Sequence, residues 1–230
     1  MALNLKKRNL KKYDIEVHTD ISDSMKTRDC NGVSRYAHAQ GWVTRLVQEA
    51  EAFDDDGPTV GFFDNETVYF ENTTFDKVAG VFKKMGPRGS TDTARLIRER
   101  CGDYLNRRLG VAGSKGVLGF GRHAAVPANP STKPRILVII TDGSPNSQSE
   151  LEQEIIGVTQ RMSAGGLTKD DLVIVFVQVG YAQNAKVFLE RLNNGLEKKG
   201  ATMDIVGCIT CDEAMSLSTQ QLLERALDAE

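Results

Sequence analysis

The chain has 230 residues, 40% of them hydrophobic, which is enough for one continuous core. Its 29 Lys and Arg stand against 31 Asp and Glu, and the net charge of −2 gives no electrostatic case for binding nucleic acid or an anionic membrane surface. The longest apolar run, at 136–140, is too short to cross a membrane, and no apolar segment of secretory-signal length follows the basic N-terminus, so we expect a cytoplasmic protein.

The first half of the sequence predicts strands and helices that alternate. Residues 13–19 alternate apolar and polar side chains and predict a strand that ends in a polar loop. Apolar residues at helical spacing predict a helix over 39–50, with Ser34 as its N-cap. A hairpin is expected next, with strands at 59–63 and 67–70. A short helix should follow at 75–82, and a long helix from Thr93 to near Gly110.

Residues 110–134 are rich in Gly and Pro and show almost no periodicity. A connection of this length inside a compact domain is usually functional or disordered. Arg122 and His123 lie in it, and both a partner-binding loop and a disordered linker fit the composition.

The second half alternates continuous apolar strands with amphipathic helices. This pattern predicts a doubly wound, mostly parallel six-stranded sheet with helices on both faces. We expect an N-terminal extension over 1–12 and a single domain over 13–230. The strands are expected at 135–141, 172–179 and 203–209, and the helices around 151–162, 185–196 and 215–227.

Three polar loops follow strands or precede a helix, at 20–24, 89–93 and 141–147. Ligands of open α/β sheets bind outside the carboxyl ends of the strands. None of the three loops contains Lys, Cys or His, so a hard cation that prefers oxygen is the natural occupant, with Mg²⁺ or Mn²⁺ favoured over Ca²⁺. The candidate ligands are two carboxylates and three hydroxyls, from Asp20, Ser22, Ser24, Thr91 and Asp142.

The pattern D-x-S-x-S, the Thr of "GST" and the Asp of "ITDG" resemble the metal-ion-dependent adhesion site (MIDAS) of von Willebrand factor type A (vWA) domains, and the resemblance spans about residues 13–227. It implies a Rossmann-like sheet with one antiparallel edge strand, here 67–70. It also implies that hydroxyls hold the metal directly while Asp side chains often act through water. The resemblance further implies a non-enzymatic module that binds an acidic side chain of a protein partner. Intracellular bacterial members often serve AAA+ ATPase-linked or tellurium-resistance assemblies.

Several residues depart from this pattern or need partners that the sequence does not name. Asp23 stands where relatives often have Gly, and we expect its carboxylate to point outward. Asp92 is expected to serve the N-terminus of the following helix. Glu16 and His18 fall in a strand covered on both faces, where a hydrogen-bonded structural pair is favoured over a polar network that supports the metal site.

Two other functions stay open. A metal-dependent phosphatase or hydrolase would use Asp20 as nucleophile, although Ser22 stands where such enzymes usually carry a second Asp. A structural domain with an idle metal site would show no stabilisation by Mg²⁺ or Mn²⁺. The Cys208 and Cys211 pair has the spacing of a zinc or redox half-site, but with no second Cys pair it is interpreted as a buried strand Cys and a helix-start Cys.

Overall fold

The computed structural model describes residues 9–30, 32–52, 54, 57–111, 114–115, 122–123, 125–143 and 145–227. Its main sheet has six strands, and a second, two-stranded sheet lies within the Gly- and Pro-rich connection. In chain order the described strands are β1 Asp14–Asp20, β2 Thr59–Phe63, β3 Thr67–Phe70, β4 Ser114–Lys115, β5 Arg122–His123, β6 Arg135–Thr141, β7 Leu172–Gln178 and β8 Val206–Ile209.

The main sheet has the spatial order β3-β2-β1-β6-β7-β8. All neighbours are parallel except β2 and β3, which pair antiparallel from Val60 opposite Phe70 to Phe63 opposite Thr67. The strand order reverses direction between β1 and β6, so the switch point of the doubly wound topology lies at the carboxyl ends of these two strands. The predicted fold class, including the antiparallel edge strand, is confirmed.

Seven α-helices are described, and they cover both faces of the sheet. Side chains alternate across β6: Ile136, Val138 and Ile140 belong to one core, and Leu137 and Ile139 belong to the other. This two-residue period explains why both faces must be covered by helices. The helices are α1 Arg35–Ala50, α2 Phe75–Lys84, α3 Thr93–Leu109, α4 Gln148–Ala164, α5 Gln183–Gly195, α6 Cys211–Ser216 and α7 Thr219–Leu227.

The two cores divide the helices by face. Apolar residues of α1, α2, α6 and α7 pack on one face, and those of α3, α4 and α5 pack on the other. Leu10, in a short 3₁₀ turn before β1, is buried in the first core. The division into an extension over 1–12 and one domain over 13–230 stays a prediction. Among the described residues, no helix has the length and apolar character of a membrane span.

The sequence predicted a single last helix, and this prediction is wrong. The segment forms two short helices, α6 and α7, which are separated at Leu217 by extended backbone. Ser218 Oγ accepts the Gln221 backbone N–H at 3.2 Å, and Gln221 Oε1 accepts the Ser218 N–H at 3.0 Å. This reciprocal pair is a capping box, which starts a new helix. The last strand also begins later than expected, at Val206. Most of 112–124, including the Arg122 and His123 side chains, lies outside the described residues.

The buried polar residues of β1 form an ionic cluster on the α3 face. Glu16 accepts hydrogen bonds from Arg100 at 2.6 and 2.9 Å and pairs with Arg135 at 2.8 Å and with His18 at 3.3 Å. Burial by itself would raise the pKa of Glu16, but the bonds from His18 and Arg100 and the charge of Arg135 hold it well below its usual range. Gly61 faces the His18 ring, where a Cβ would lie 2.1 Å from Nδ1. Glu16 therefore has arginine partners from α3 and β6, whereas the only partner that the described residues give the His18 side chain is Glu16, and His18 Nδ1 is buried without a hydrogen bond. A structural pair remains the interpretation that this arrangement favours.

Candidate metal site

The candidate ligands come from three loops at the switch-point edge of the sheet. Asp20 is the last residue of β1, and Asp142 directly follows the neighbouring β6. Because parallel neighbours end at the same edge, the two carboxylates lie close together, and the charge of Asp142 raises the pKa of Asp20. Ser22 and Ser24 lie in the turn after β1, and Thr91 lies two residues before α3.

Backbone and side-chain hydrogen bonds tie the three loops together. The turn after β1 joins the second loop through the Asp23 N–H, which donates to Gly89 O at 3.1 Å. The second loop joins the third reciprocally: the Thr91 N–H donates to Asn146 Oδ1 at 3.0 Å, and the Asn146 N–H donates to Thr91 O at 2.8 Å. These bonds hold the candidate donors on one scaffold before any ligand binds.

The hydroxyls of the first loop have the spacing of neighbouring ligands of a small octahedral ion. Ser22 Oγ and Ser24 Oγ are hydrogen-bonded to each other at 3.0 Å, a separation that an ion bound by both would also require. Adjacent oxygens around Mg²⁺, with bonds of about 2.0–2.1 Å, are separated by about 2.9 Å. Ser22 and Thr91 are buried, whereas Ser24 is half-buried. The oxygen-only donor set and this spacing fit Mg²⁺ or Mn²⁺.

The Asp20 carboxylate is fully buried and held by two local donors. Its Oδ1 accepts the Ser22 N–H at 2.7 Å, and its Oδ2 accepts the Thr141 hydroxyl at 2.9 Å. Burial raises its pKa to about 6; the hydrogen bonds oppose that rise, and the charge of Asp142 adds to it. A nearby cation would stabilise the charged form of a carboxylate in this environment. Because both of its oxygens already accept hydrogen bonds from the protein, contact with a metal through a water molecule suits it better than a direct bond.

Arg35 is the residue of this site that sequence reasoning missed. Its Nη1 donates to Asp142 Oδ2 at 2.8 Å, and its Nε and Nη2 bind the Asp29 carboxylate at 3.0 and 2.5 Å. Ser34 caps α1 as predicted and so places Arg35 at the first helical position. That signal gives its place in the helix, but its contact with the β6 loop depends on how α1 packs on the sheet.

The two additional acidic residues point away from the candidate ligands. Asp23 is exposed and pairs with Lys26 Nζ at 2.6 Å, as the outward orientation requires. Asp92 caps α3 by accepting the Arg95 N–H at 3.0 Å. Neither carboxylate therefore adds charge to the donor set by a direct contact.

No family model and no curated protein match the chain, but solved structures match its fold. The manganese-loaded TRAP protein of Plasmodium vivax has a TM-score of 0.54 and 15% identity, over 91% of this chain and 72% of that one. The PilB minor pilin of Streptococcus sanguinis has a TM-score of 0.54 and 13% identity, over 92% and 60%. The pilus adhesin SpaC of Lactobacillus rhamnosus GG has a TM-score of 0.52 and 13% identity, over 97% and 31%.

At these identities the likeness concerns the fold alone. The chain shares with these structures a doubly wound, vWA-like α/β fold, with a mixed sheet and an antiparallel edge strand. The chain spans less than two thirds of the length of the pilin and the adhesin.

Proposed function

We propose that the chain is a non-enzymatic protein-binding module that holds Mg²⁺ or Mn²⁺ at a MIDAS-type site. The metal would be held by the Ser22, Ser24 and Thr91 hydroxyls, with Asp20 and Asp142 acting as the charged part of the site. The observation that carries the proposal is the 3.0 Å separation of the two serine hydroxyls beside two carboxylates at the switch point. The manganese-loaded TRAP structure, which shares the fold, supports the choice of ion.

The bound ion would supply a positive charge that takes a carboxylate of a protein partner as a further ligand. Two carboxylates balance a divalent charge, so the donor set holds no excess negative charge that would repel such a ligand. The chain's own residues fix the hydroxyls on hydrogen-bonded loops and keep Asp20 out of bulk water. AAA+ ATPase-linked and tellurium-resistance-type assemblies are the first partner classes to examine, from the vWA resemblance.

A phosphatase with Asp20 as nucleophile is disfavoured by the contacts of that residue. Both carboxylate oxygens accept hydrogen bonds from the protein, and the side chain has no exposed surface from which to attack a substrate. Turnover of an aryl phosphate with Mg²⁺ that is lost in Asp20→Ala would reverse this ranking.

Metal binding is tested by titrating the purified chain with Mn²⁺, following free Mn²⁺ by electron paramagnetic resonance and displacing it with Mg²⁺. We expect Ser22→Ala and Asp20→Asn to weaken binding at least tenfold. Asp23→Asn is the matched control, since Asp23 is a neighbouring but exposed carboxylate, and it should stay within a few-fold of the parent. Equal affinities in all four proteins would refute the assignment of the site.

The partner is tested by affinity capture from native lysate with Mg²⁺, with EDTA, and with Asp20→Ala in Mg²⁺. The proposal expects a set of proteins that only the parent and Asp23→Asn retain in Mg²⁺. If the same proteins appear under all conditions, adhesion does not depend on the metal.

A further inference from the structure

A second group of metal-ligating side chains lies on the α1 face of the sheet. The sulfurs of Cys30 and Cys211 and a ring nitrogen of His38 all lie within 4.8 Å of one another. Cys30 follows the turn after β1, His38 lies near the start of α1, and Cys211 is the first residue of α6. Both cysteines are buried free thiols, whereas His38 is half-buried.

The separations are close to those around a tetrahedral zinc ion. Zinc bonds of about 2.3 Å to sulfur and about 2.0–2.1 Å to nitrogen place a sulfur and a nitrogen ligand roughly 3.6 Å apart, and two sulfurs roughly 3.8 Å apart. Cys211 Sγ lies 4.0 Å from His38 Nδ1. The largest separation in the cluster, up to 4.8 Å, exceeds the tetrahedral value by about 1 Å, which zinc binding would have to close.

The donor chemistry differs from that of the candidate Mg²⁺ site. Two thiols and an imidazole are soft or borderline ligands, which Zn²⁺ prefers and Mg²⁺ does not. Burial lowers the pKa of His38, which keeps its ring neutral and able to ligate near pH 7. Burial also raises the pKa of Cys30 to about 11, so without an ion it is a neutral thiol that exchanges slowly with disulfides.

A cavity borders one of the three candidate ligands. Cys211 lines a cavity of about 210 Å³, whose other lining residues include Gln178, Tyr181 and Lys186, whereas Cys30 and His38 do not line it. A water molecule from this side is the candidate fourth ligand of a tetrahedral site with three protein ligands.

We propose that Cys30, His38 and Cys211 bind one Zn²⁺ ion that joins the start of α6 to α1 and to the loop after β1. The ion has a structural consequence for the neighbouring candidate site. Cys30 adjoins Asp29, and Asp29 holds Arg35, the residue that binds Asp142. A fixed Cys30 therefore restrains the ion pairs at the edge of the Mg²⁺ site.

Cobalt reports on this site directly, because thiolate ligands give a charge-transfer band and tetrahedral Co²⁺ gives intense visible bands. The full-length protein, reduced and freed of metal, is titrated with Co²⁺ and then with Zn²⁺. We expect both bands to saturate at one equivalent of Co²⁺ and to vanish as Zn²⁺ displaces it. Cys30→Ser, Cys211→Ser and His38→Gln should each lose the bands at stoichiometric Co²⁺.

Cys208→Ser is the matched control, since Cys208 is a half-buried free thiol three positions from Cys211 but outside the cluster. It should keep the bands, as should Asp20→Asn, which separates this site from the Mg²⁺ site. His38→Gln removes no core side chain, and its circular dichroism in EDTA checks that it is folded.

Three results would overturn the proposal. One is a reduced wild-type protein that shows no thiolate band. Another is a His38→Gln variant that is folded yet binds Co²⁺ as the parent does. The third is a chain as purified that is about 2 Da lighter, with a Cys30–Cys211 disulfide mapped by peptide mass, which would make the cluster a redox pair.

Discussion

Replacing Asp20 with Asn should stabilise the metal-free protein. Asn keeps an oxygen to accept the Ser22 N–H, and its amide can donate to the Thr141 hydroxyl, so both present contacts have a substitute. What disappears is the charge of a fully buried carboxylate. The shift of the Asp20 pKa from 3.8 to about 6 is about 2 units, which corresponds to about 3 kcal/mol of destabilisation at neutral pH.

The sign of the pH dependence follows from the raised pKa. The folded protein binds a proton on Asp20 more tightly than the unfolded chain does, so the stability linked to this group is fully present below pH 3.8 and is lost as the pH rises through about 6. In EDTA at pH 7, the free energy of unfolding of Asp20→Asn should therefore exceed that of the parent by up to about 3 kcal/mol. The difference should shrink as the pH falls from 6 towards 4.

The assay is urea denaturation at several pH values, in EDTA and in saturating Mg²⁺. In Mg²⁺ the stability advantage of Asp20→Asn over the parent should shrink or change sign. The reason is that ligand binding stabilises only the protein that binds it, by about 2.7 kcal/mol at a ligand concentration of a hundred times Kd. Asp23→Asn, which removes an exposed carboxylate, should follow the parent in both buffers. A metal-free Asp20→Asn that is less stable than the parent at pH 7, or that gains equally from Mg²⁺, would refute the reasoning.

Four further substitutions test the packing of the sheet and the charge beside the candidate site, by urea denaturation and Mn²⁺ titration. Gly61→Ala should lower the free energy of unfolding by about 3 kcal/mol, because its Cβ would lie 2.1 Å from the His18 ring. The control is Gly41→Ala, in an exposed part of α1 with nothing within 4 Å, which should raise the free energy of unfolding by up to about 1 kcal/mol. Equal stabilities of the two variants would contradict the placement of the ring. Glu16→Gln should lower the free energy of unfolding by about 3 kcal/mol, since buried Arg100 loses its carboxylate partner while Arg135 keeps only Asp14. A neutral effect would show that water reaches the two guanidiniums. Arg35→Gln removes a positive charge from beside the candidate metal site and should raise Mn²⁺ affinity about tenfold, roughly 1.4 kcal/mol, while unchanged affinity would place the ion elsewhere.

The local elements could be predicted because their signals are short in sequence. The apolar run of β6 and the hairpin of β2 and β3 coincide with the predicted segments, and Ser34 caps the helix that it was expected to cap. Alternation of period two and helical spacing depend on neighbouring residues only, so a single sequence carries them. The capping box at Ser218 was equally local and marks the break between α6 and α7.

All five candidate ligands were named from the sequence, but the Arg35 contact with Asp142 was not. Asp20, Ser22 and Ser24 share one turn, and their spacing is visible in the sequence, whereas their joining to Thr91 and Asp142 was inferred from the expected order of elements. The assignment of a metal to these residues remains a proposal. What the structure adds is the closeness of the loops and the serine oxygens, which depends on hydrogen bonds between distant segments.

By itself, the sequence determined the alternation of strands and helices, the apolar strands that require cover on both faces, and the polar residues at strand ends. Only the tertiary structure decided that Arg35 binds Asp142, that Glu16 has arginine partners from α3 and β6, and that Cys30 meets Cys211. The physical reason is range. Backbone periodicity and capping act over a few residues, but ion pairs and ligand clusters form between segments that approach each other only when the helices pack on the sheet.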